Sequence, residues 1–246
     1  MLRSIRDLEK HEVMTKDGKI GNLETFLFNE NNFKVQYMEI DTRKWLPGKK
    51  VVIDPEKAVI PPESLKTVKL DMTKEELEKA PMAEEHLPVS QEKMKKAMRG
   101  VTPPALWYPA GIEPALSIYD GQLMISREEN EGNEKGERLR STRHLEGYNV
   151  NASNGDVGHI EEFIVETGDW IIRYAVVDTK RILPGKKILV SPDWIEGIDW
   201  ESREVRVDHT KEEIKSSPEY DPNDPVNRRY EMVLYDYYGR PYYWKV

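Results

Sequence analysis

The sequence predicts a mainly β protein: two tandem small antiparallel β-barrels, each followed by short C-terminal helices and a Pro-x-x-Trp tail. Three observations carry this. A shift of about 137 residues lays the first copy on the second without a gap, placing Ser4 on Ser141, Gly18 on Gly155, Gly21 on Gly158, Phe26 on Phe163 and Tyr37 on Tyr174. Within each copy, short apolar runs with period-two alternation are separated by turn residues roughly every ten positions. Both copies then carry the same helix-start signature, Thr73-Lys74-Glu75-Glu76 and Thr210-Lys211-Glu212-Glu213. Closure into a barrel is the expected arrangement, because it leaves no sheet edge exposed. The units expected are residues 1–109, a linker 110–140, and residues 141–246.

The second copy gives the cleaner order of elements. Asn154-Gly155 is a turn pair, and Val157 to Val165 reads as a strand. Thr167-Gly168-Asp169 turns the chain. Trp170, Ile172, Tyr174 and Val176 then alternate with Ile171, Arg173, Ala175 and Val177, up to Asp178-Thr179. Leu183-Pro184-Gly185 suits a type II turn, with proline setting φ and glycine supplying φ > 0. Ile188 to Val190 and Glu204 to Val207 follow as short strands. The first copy repeats this with Asp17-Gly18, Ile20 to Phe28, Phe33 to Ile40, Pro47-Gly48, Val51 to Ile53 and Val68 to Leu70.

Each capping box starts a short helix ending before Pro81 or Pro218. A second helix is expected from Asp224-Pro225, carrying Val226, Tyr230, Val233, Leu234 and Tyr237 on one face, with Gly239 as its C′ residue. Its counterpart is Gln91 to Arg99, with Met94 and Met98 inward. The tails end at Trp107 and Trp244, whose indoles are expected to lie largely buried over apolar patches; the alternative is a tail presented for recognition. In the linker, the stretch through Ile125 has enough apolar residues to lie against a barrel. Arg127 to Arg140 is almost wholly Glu, Asn, Gly, Lys and Arg, a composition that stays mobile.

Several of these residues resemble a known family. Gly147-Tyr148-Asn149-Val150, then Asn154-Gly155-Asp156-Val157-Gly158-His159-Ile160 and the strand ending at Asp178, resemble the PRC-barrel signature. Asp17-Gly18-Lys19-Ile20-Gly21 fits it in the first copy, where Lys10-His11-Glu12-Val13 departs from it. The extensions, especially Ser217 to Pro222 and Tyr238 to Trp244, resemble those of bacterial tandem PRC-barrel proteins. That module is named for the cytoplasmic domain of the photosynthetic reaction-centre H subunit, and also occurs in a maturation factor for the small ribosomal subunit. The resemblance implies a protein-interaction or assembly element without a shared catalytic constellation. A fold alone does not carry an activity.

Composition narrows the choices further. Net charge is −8, with 33% charged and 38% hydrophobic residues, which disfavours a general nucleic-acid binder because phosphate affinity needs clustered Lys and Arg. DNA is therefore not an expected partner, and RNA is disfavoured. With no cysteine, disulfides and thiolate zinc sites are excluded, and the cytoplasm is the expected compartment. No segment approaches the roughly 20 apolar residues of a spanning helix, so membrane contact is expected only peripherally, through a partner.

His11, His86, His144, His159 and His209 show no metal-ligand spacing and are expected at surfaces or barrel rims. No nucleophile-elbow, P-loop or dinucleotide fingerprint is present. Asp41-Thr42 and Asp178-Thr179 are twinned at strand ends. Such carboxylates could meet across a pseudo-twofold axis and share a proton or bind a cation; the commoner role is organising a turn. The C-terminal tyrosines, among them Tyr230 and Tyr237, serve either a stacked ligand or, more commonly, core and interface packing.

The function expected is a non-catalytic interaction or assembly protein with a protein partner, compatible with homodimerisation, and with no metal or organic cofactor. By analogy with the H subunit, it would sit beside a membrane electron-transport complex. One alternative is an RNA or ribosome-assembly factor. Another is a small-ligand binder or enzyme using the cleft between barrels.

Overall fold

The computed structural model describes residues 1–42, 50–60, 66–78, 139–179 and 185–245, together with the backbone of 116–119 and 122–125. The Pro47-Gly48 turn, the helix expected at Gln91 to Arg99, the tail ending at Trp107 and residues 127–138 of the linker lie outside these residues.

The first copy forms β1 (Leu2–Ser4), α1 (Ile5–Leu8), β2 (Glu12–Thr15), β3 (Gly18–Asn29), β4 (Val35–Asp41), β5 (Lys50–Ile53), β6 (Ala58–Val59), β7 (Thr67–Leu70) and α2 (Lys74–Glu78). A short hairpin, β8 (Leu116–Tyr119) and β9 (Gln122–Ile125), follows. The second copy repeats the series as β10 (Leu139–Ser141), α3 (Thr142–Leu145), β11 (Asn149–Ala152), β12 (Gly155–Glu166), β13 (Ile171–Asp178), β14 (Lys187–Val190), β15 (Ile195–Asp199), β16 (Glu204–Val207) and α4 (Lys211–Ser216). It then adds α5 (Arg228–Tyr238) and a final 3-10 turn at Tyr243–Lys245.

Both capping boxes form. Glu213 N–H donates to the Thr210 hydroxyl while the Glu213 carboxylate accepts from Thr210 N–H at 2.7 Å, and Thr73 with Glu76 repeats the pattern.

The sheets correct the expected barrels in two ways. Each is an open path, β5-β4-β3-β2-β7-β6 and β14-β13-β12-β11-β16-β15, whose end strands do not pair with one another. Each also contains one parallel pair, β2 with β7 and β11 with β16. The twelve-residue central strands β3 and β12 outrun their neighbours. On one edge β3 pairs with β4 through Phe28, but on the other β2 stops opposite Asn22.

The vacated edge is filled by the other copy. β10 pairs with β3 in the register Leu139↔Asn29 to Ser141↔Leu27, and β1 pairs with β12 in the register Leu2↔Glu166 to Ser4↔Ile164. Each copy thus donates its first strand to its twin. Leu139 and Arg140, expected at the mobile end of the linker, belong to a strand, and Arg140 is 5% exposed.

A second seam lies at the β3–β4 and β12–β13 turns. Val35 N–H donates to the Trp170 carbonyl at 2.7 Å and Ile172 N–H to the Phe33 carbonyl at 3.0 Å, around a bridge between Lys34 and Ile171. Lys34 and Ile171 are counterparts under the repeat shift, and the same shift exchanges the two flanking hydrogen bonds, so the pseudo-twofold axis passes through this bridge. Phe33 and Trp170 take positive φ, 55° and 57°, to aim those carbonyls. The unfavourable backbone is held by the cross-copy bonds and by ring packing, Phe33 stacked on Phe28 at 5.3 Å and Trp170 at 6.0 Å from Phe26. One apolar core therefore runs through both copies, with Phe28 6.4 Å from Phe163.

Candidate functional site

Concave features lie where the copies meet. A recess of about 450 Å³ is walled on one side by the first copy's turn Glu30 to Phe33 and on the other by Ser191 to Trp200. Arg173, Tyr235 and Tyr243 contribute to its lining. The counterpart in the first copy, between Lys34 to Tyr37, Asp54 to Glu56 and Trp170, measures only about 130 Å³. A further recess of about 500 Å³ separates β1 and α1 from β12 and the segment Tyr220 to Val226.

The floor of the first recess is set by α5. Asn227 caps that helix by accepting from Tyr230 N–H at 3.0 Å, and Gly239, at φ 61°, ends it in the left-handed conformation that glycine adopts without strain. The helix thus starts after Pro225, not at Asp224. Its buried face is Glu231, Leu234 and Tyr235, whereas Val233 is 53% exposed and Tyr237 40% exposed. The inward face is rotated from the expected one because a glutamate occupies its centre.

Glu231 is 1% exposed and fully engaged. Its Oε1 accepts from the Tyr174 and Tyr243 hydroxyls, each at 2.8 Å, and its Oε2 lies 3.0 Å from Arg228 Nη1. Burial, together with this carboxylate, pushes both phenols far above their ordinary range, so they stay protonated as donors. Arg173 packs over the Tyr243 ring at 4.1 Å, Arg228 over Trp244 at 4.1 Å, and Lys245 over Tyr242 at 4.4 Å, alternating cations and rings along the tail.

The histidine expectation fails at two positions. His11 is fully buried with Nδ1 2.8 Å from the Asp7 carbonyl. His209 is buried against Tyr238 at 4.3 Å, and burial lowers its pKa despite Asp208 alongside. Both serve as aromatic core residues; the position matching His11 in the second copy is the buried Tyr148.

Asp41 and Asp178 end β4 and β13, at the far ends of these strands from the Lys34–Ile171 bridge on the axis. Asp41 faces Asn22 and Lys50 in register; Asp178 faces His159 and Lys187. The structure does not bring the two together. Their carbonyls explain the paired glycines instead: a Cβ on Gly21 would fall 1.9 Å from the Asp41 oxygen, and one on Gly158 1.9 Å from that of Asp178. Trp244 is half-buried, not largely buried, lying stacked on Tyr242 at 4.8 Å and edge-on to Tyr235 at 5.5 Å. Tyr230 donates to the Pro218 carbonyl at 3.3 Å and Tyr237 to that of Glu213 at 2.6 Å, anchoring α5. Trp107 lies outside the described residues.

Carboxylates do face each other between the copies, but they are Glu9 and Glu146. Arg143 Nη2 lies 3.4 Å from Glu9 Oε2, and Arg6 Nη2 lies 3.8 Å from Glu146 Oε2. Each arginine also reaches the other copy's central strand, Arg6 to Glu161 at 2.9 Å and Arg143 to Glu24 at 3.4 Å. Lys187 and Lys50 close these clusters from β14 and β5. Burial pushes Glu9 up to about 7 against the pull of Arg143, with Glu146 adding to the rise, and burial raises Glu146 as well. A signal for this cluster exists in the sequence: Arg6/Arg143, Glu9/Glu146, Glu24/Glu161 and Lys50/Lys187 are charged identities under the repeat shift.

Among the described residues, no group of three or more His, Asp or Glu side chains could hold a metal ion, and no helix is long and apolar enough to cross a membrane. No protein-family model matches the chain, and no curated protein matches it.

Proposed function

We propose that this chain is a non-catalytic interaction and assembly protein of the PRC-barrel class. The observation that carries this reading is the reciprocal donation of β1 and β10, which fuses two copies into one body and forms a recess from both. Strand exchange is a common route by which identical modules associate, and here the association is internal. The polar groups around the recess support a scaffold: Glu231, Tyr174 and Tyr243 hold the C-terminal helix and tail, and Arg140 is pinned to Glu30 at 2.6 Å and stacked over Trp200 at 3.9 Å. By analogy with the H subunit, the partner would be a membrane electron-transport complex.

The test is the native size of the tagged chain in detergent-treated extracts of its host. Migration in a membrane-derived assembly well above the 28.7 kDa of the chain is expected. Migration as a lone monomer overturns the reading. The recess also favours a second reading, a small-ligand binder, which native mass spectrometry of the purified chain would support by showing a stoichiometric organic adduct.

A further inference from the structure

We infer that the recess between the copies accepts an extended basic peptide, which adds as a further strand to β15. The inference rests on the assembly reading above and names the chemistry of the partner.

β15 is the end strand of its sheet, paired only with β16 among the described residues. An end strand presents a row of backbone N–H and C=O groups to whatever lies beside it. The opposite end of the same sheet is occupied, since Tyr220 N–H donates to the Lys187 carbonyl of β14 at 2.8 Å. Beside β15 lies the recess of about 450 Å³, lined by Ile195, Gly197 and Ile198 of the strand itself. Its far wall is the first copy's Glu30 to Phe33 turn, so an entering segment would have protein on both sides. Phe33, Trp200 and Tyr243 supply half-buried aromatic surface for alternate side chains of such a segment.

Charge selects among extended peptides. Arg173, the cation in the lining, is already engaged with Glu166 at 2.8 Å and with Asp169, and the lining Glu30 is paired with Arg140. Asp193, in the turn before β15, lines the recess, and Glu196 is exposed on the strand outside that lining. Neither is in an ion pair among the described residues, whereas the exposed Arg206 of β16 faces Gly197 and acts on Asp199. With Arg206 set against Asp199, Asp193 and Glu196 leave the surroundings of the strand negative, which favours a lysine- or arginine-bearing segment. A bulge between Ile195 and Gly197 displaces Glu196 from the ladder. Acidic residues on an end strand also deter aggregation, but that role needs no adjoining recess. The first copy lacks the combination: its equivalent end strand, β6, carries an exposed Val59 in place of Glu196 and adjoins a far smaller recess.

The test titrates the full chain with a fluorescent, end-blocked decapeptide of alternating lysine and valine. Glutamate–valine and backbone-N-methylated versions serve as comparisons. Binding of the lysine peptide at least about tenfold tighter than the glutamate peptide is expected, with loss on backbone methylation. Amides of Ile195 to Asp199 should gain exchange protection on binding. The Asp193→Lys/Glu196→Lys variant, altered only at exposed positions, should weaken binding by about tenfold or more. Equal binding of the two charged peptides, insensitivity to methylation, unchanged β15 exchange, or no binding at millimolar peptide overturns the inference. If the peptide fails while the chain still migrates in a large native assembly, only this inference falls; a lone monomer removes the assembly reading as well.

Discussion

Glu9 couples the junction between the copies to pH. Its ordinary value is 4.5 and its folded value about 7, so between these the folded chain binds more protons than the unfolded one. Stability from this group is complete below about 4.5 and is lost as pH rises through 7, on the order of 2 kcal/mol. Glu9→Gln removes the titration while leaving Arg143 its contact with Glu24. Urea unfolding at several pH values should therefore show a flatter stability profile for the variant, with the variant at least as stable as the parent at pH 8. A parallel profile would show that Glu9 does not titrate there. At Gly158 the constraint is steric: a methyl group would overlap the Asp178 carbonyl, and the backbone offers no flexible end to move aside. Gly158→Ala should cost about 2 kcal/mol or more, read from the denaturation midpoint.

At the scale of elements, α5 and the tail are held more by polar anchorage than by apolar area. Removing the Glu231 carboxylate leaves the buried Tyr174 phenol and the half-buried Tyr243 phenol without their acceptor and Arg228 without its ion-pair partner. Glu231→Ala should cost about 3 kcal/mol. Trp244→Ala, at a half-buried position, should cost about 1–2 kcal/mol, less than the 3–5 typical of a core indole. Equal losses from the two variants would contradict this ranking. The contrast also shows what the sequence could reveal. Turn pairs, alternating strands and both capping boxes were legible because each depends on neighbours within a few positions. The inward face of α5 was not, because its central residue is a glutamate whose burial depends on Tyr174, more than fifty positions earlier in the chain. Barrel closure was also misjudged: period-two patterning marks strands but says nothing about which strands end short of β3 and β12. Of the site, the tyrosine anchors were visible as an aromatic cluster. The Glu9 and Glu146 junction required asking which charges the two copies share.

For the whole molecule, strand exchange makes the copies interdependent. Deleting residues 1–4 removes β1 from the second copy's sheet, so amide protection should fall at Ile164 to Glu166 more than anywhere in the first copy. Hydrogen exchange with mass readout checks this, and loss confined to the first copy would refute the arrangement. Heating should give a single transition, since the apolar core runs through both copies. Three-residue strands such as β1 and β10 carry too little pattern to name their partner, and two copies with the same strand order offer each strand two equivalent docking edges. The exchange also bears on how the chain is made. Leu2 leaves the ribosome ahead of its strand partner Glu166, which at about 5–20 residues per second arrives roughly 8–30 s later. Throughout that interval the first copy lacks the strand that β10 will supply, and its own leading strand has nowhere to bind. Nascent chains on neighbouring ribosomes could offer one another the missing edge, so slow translation through the segment between the copies would favour chains joined in pairs over self-contained monomers.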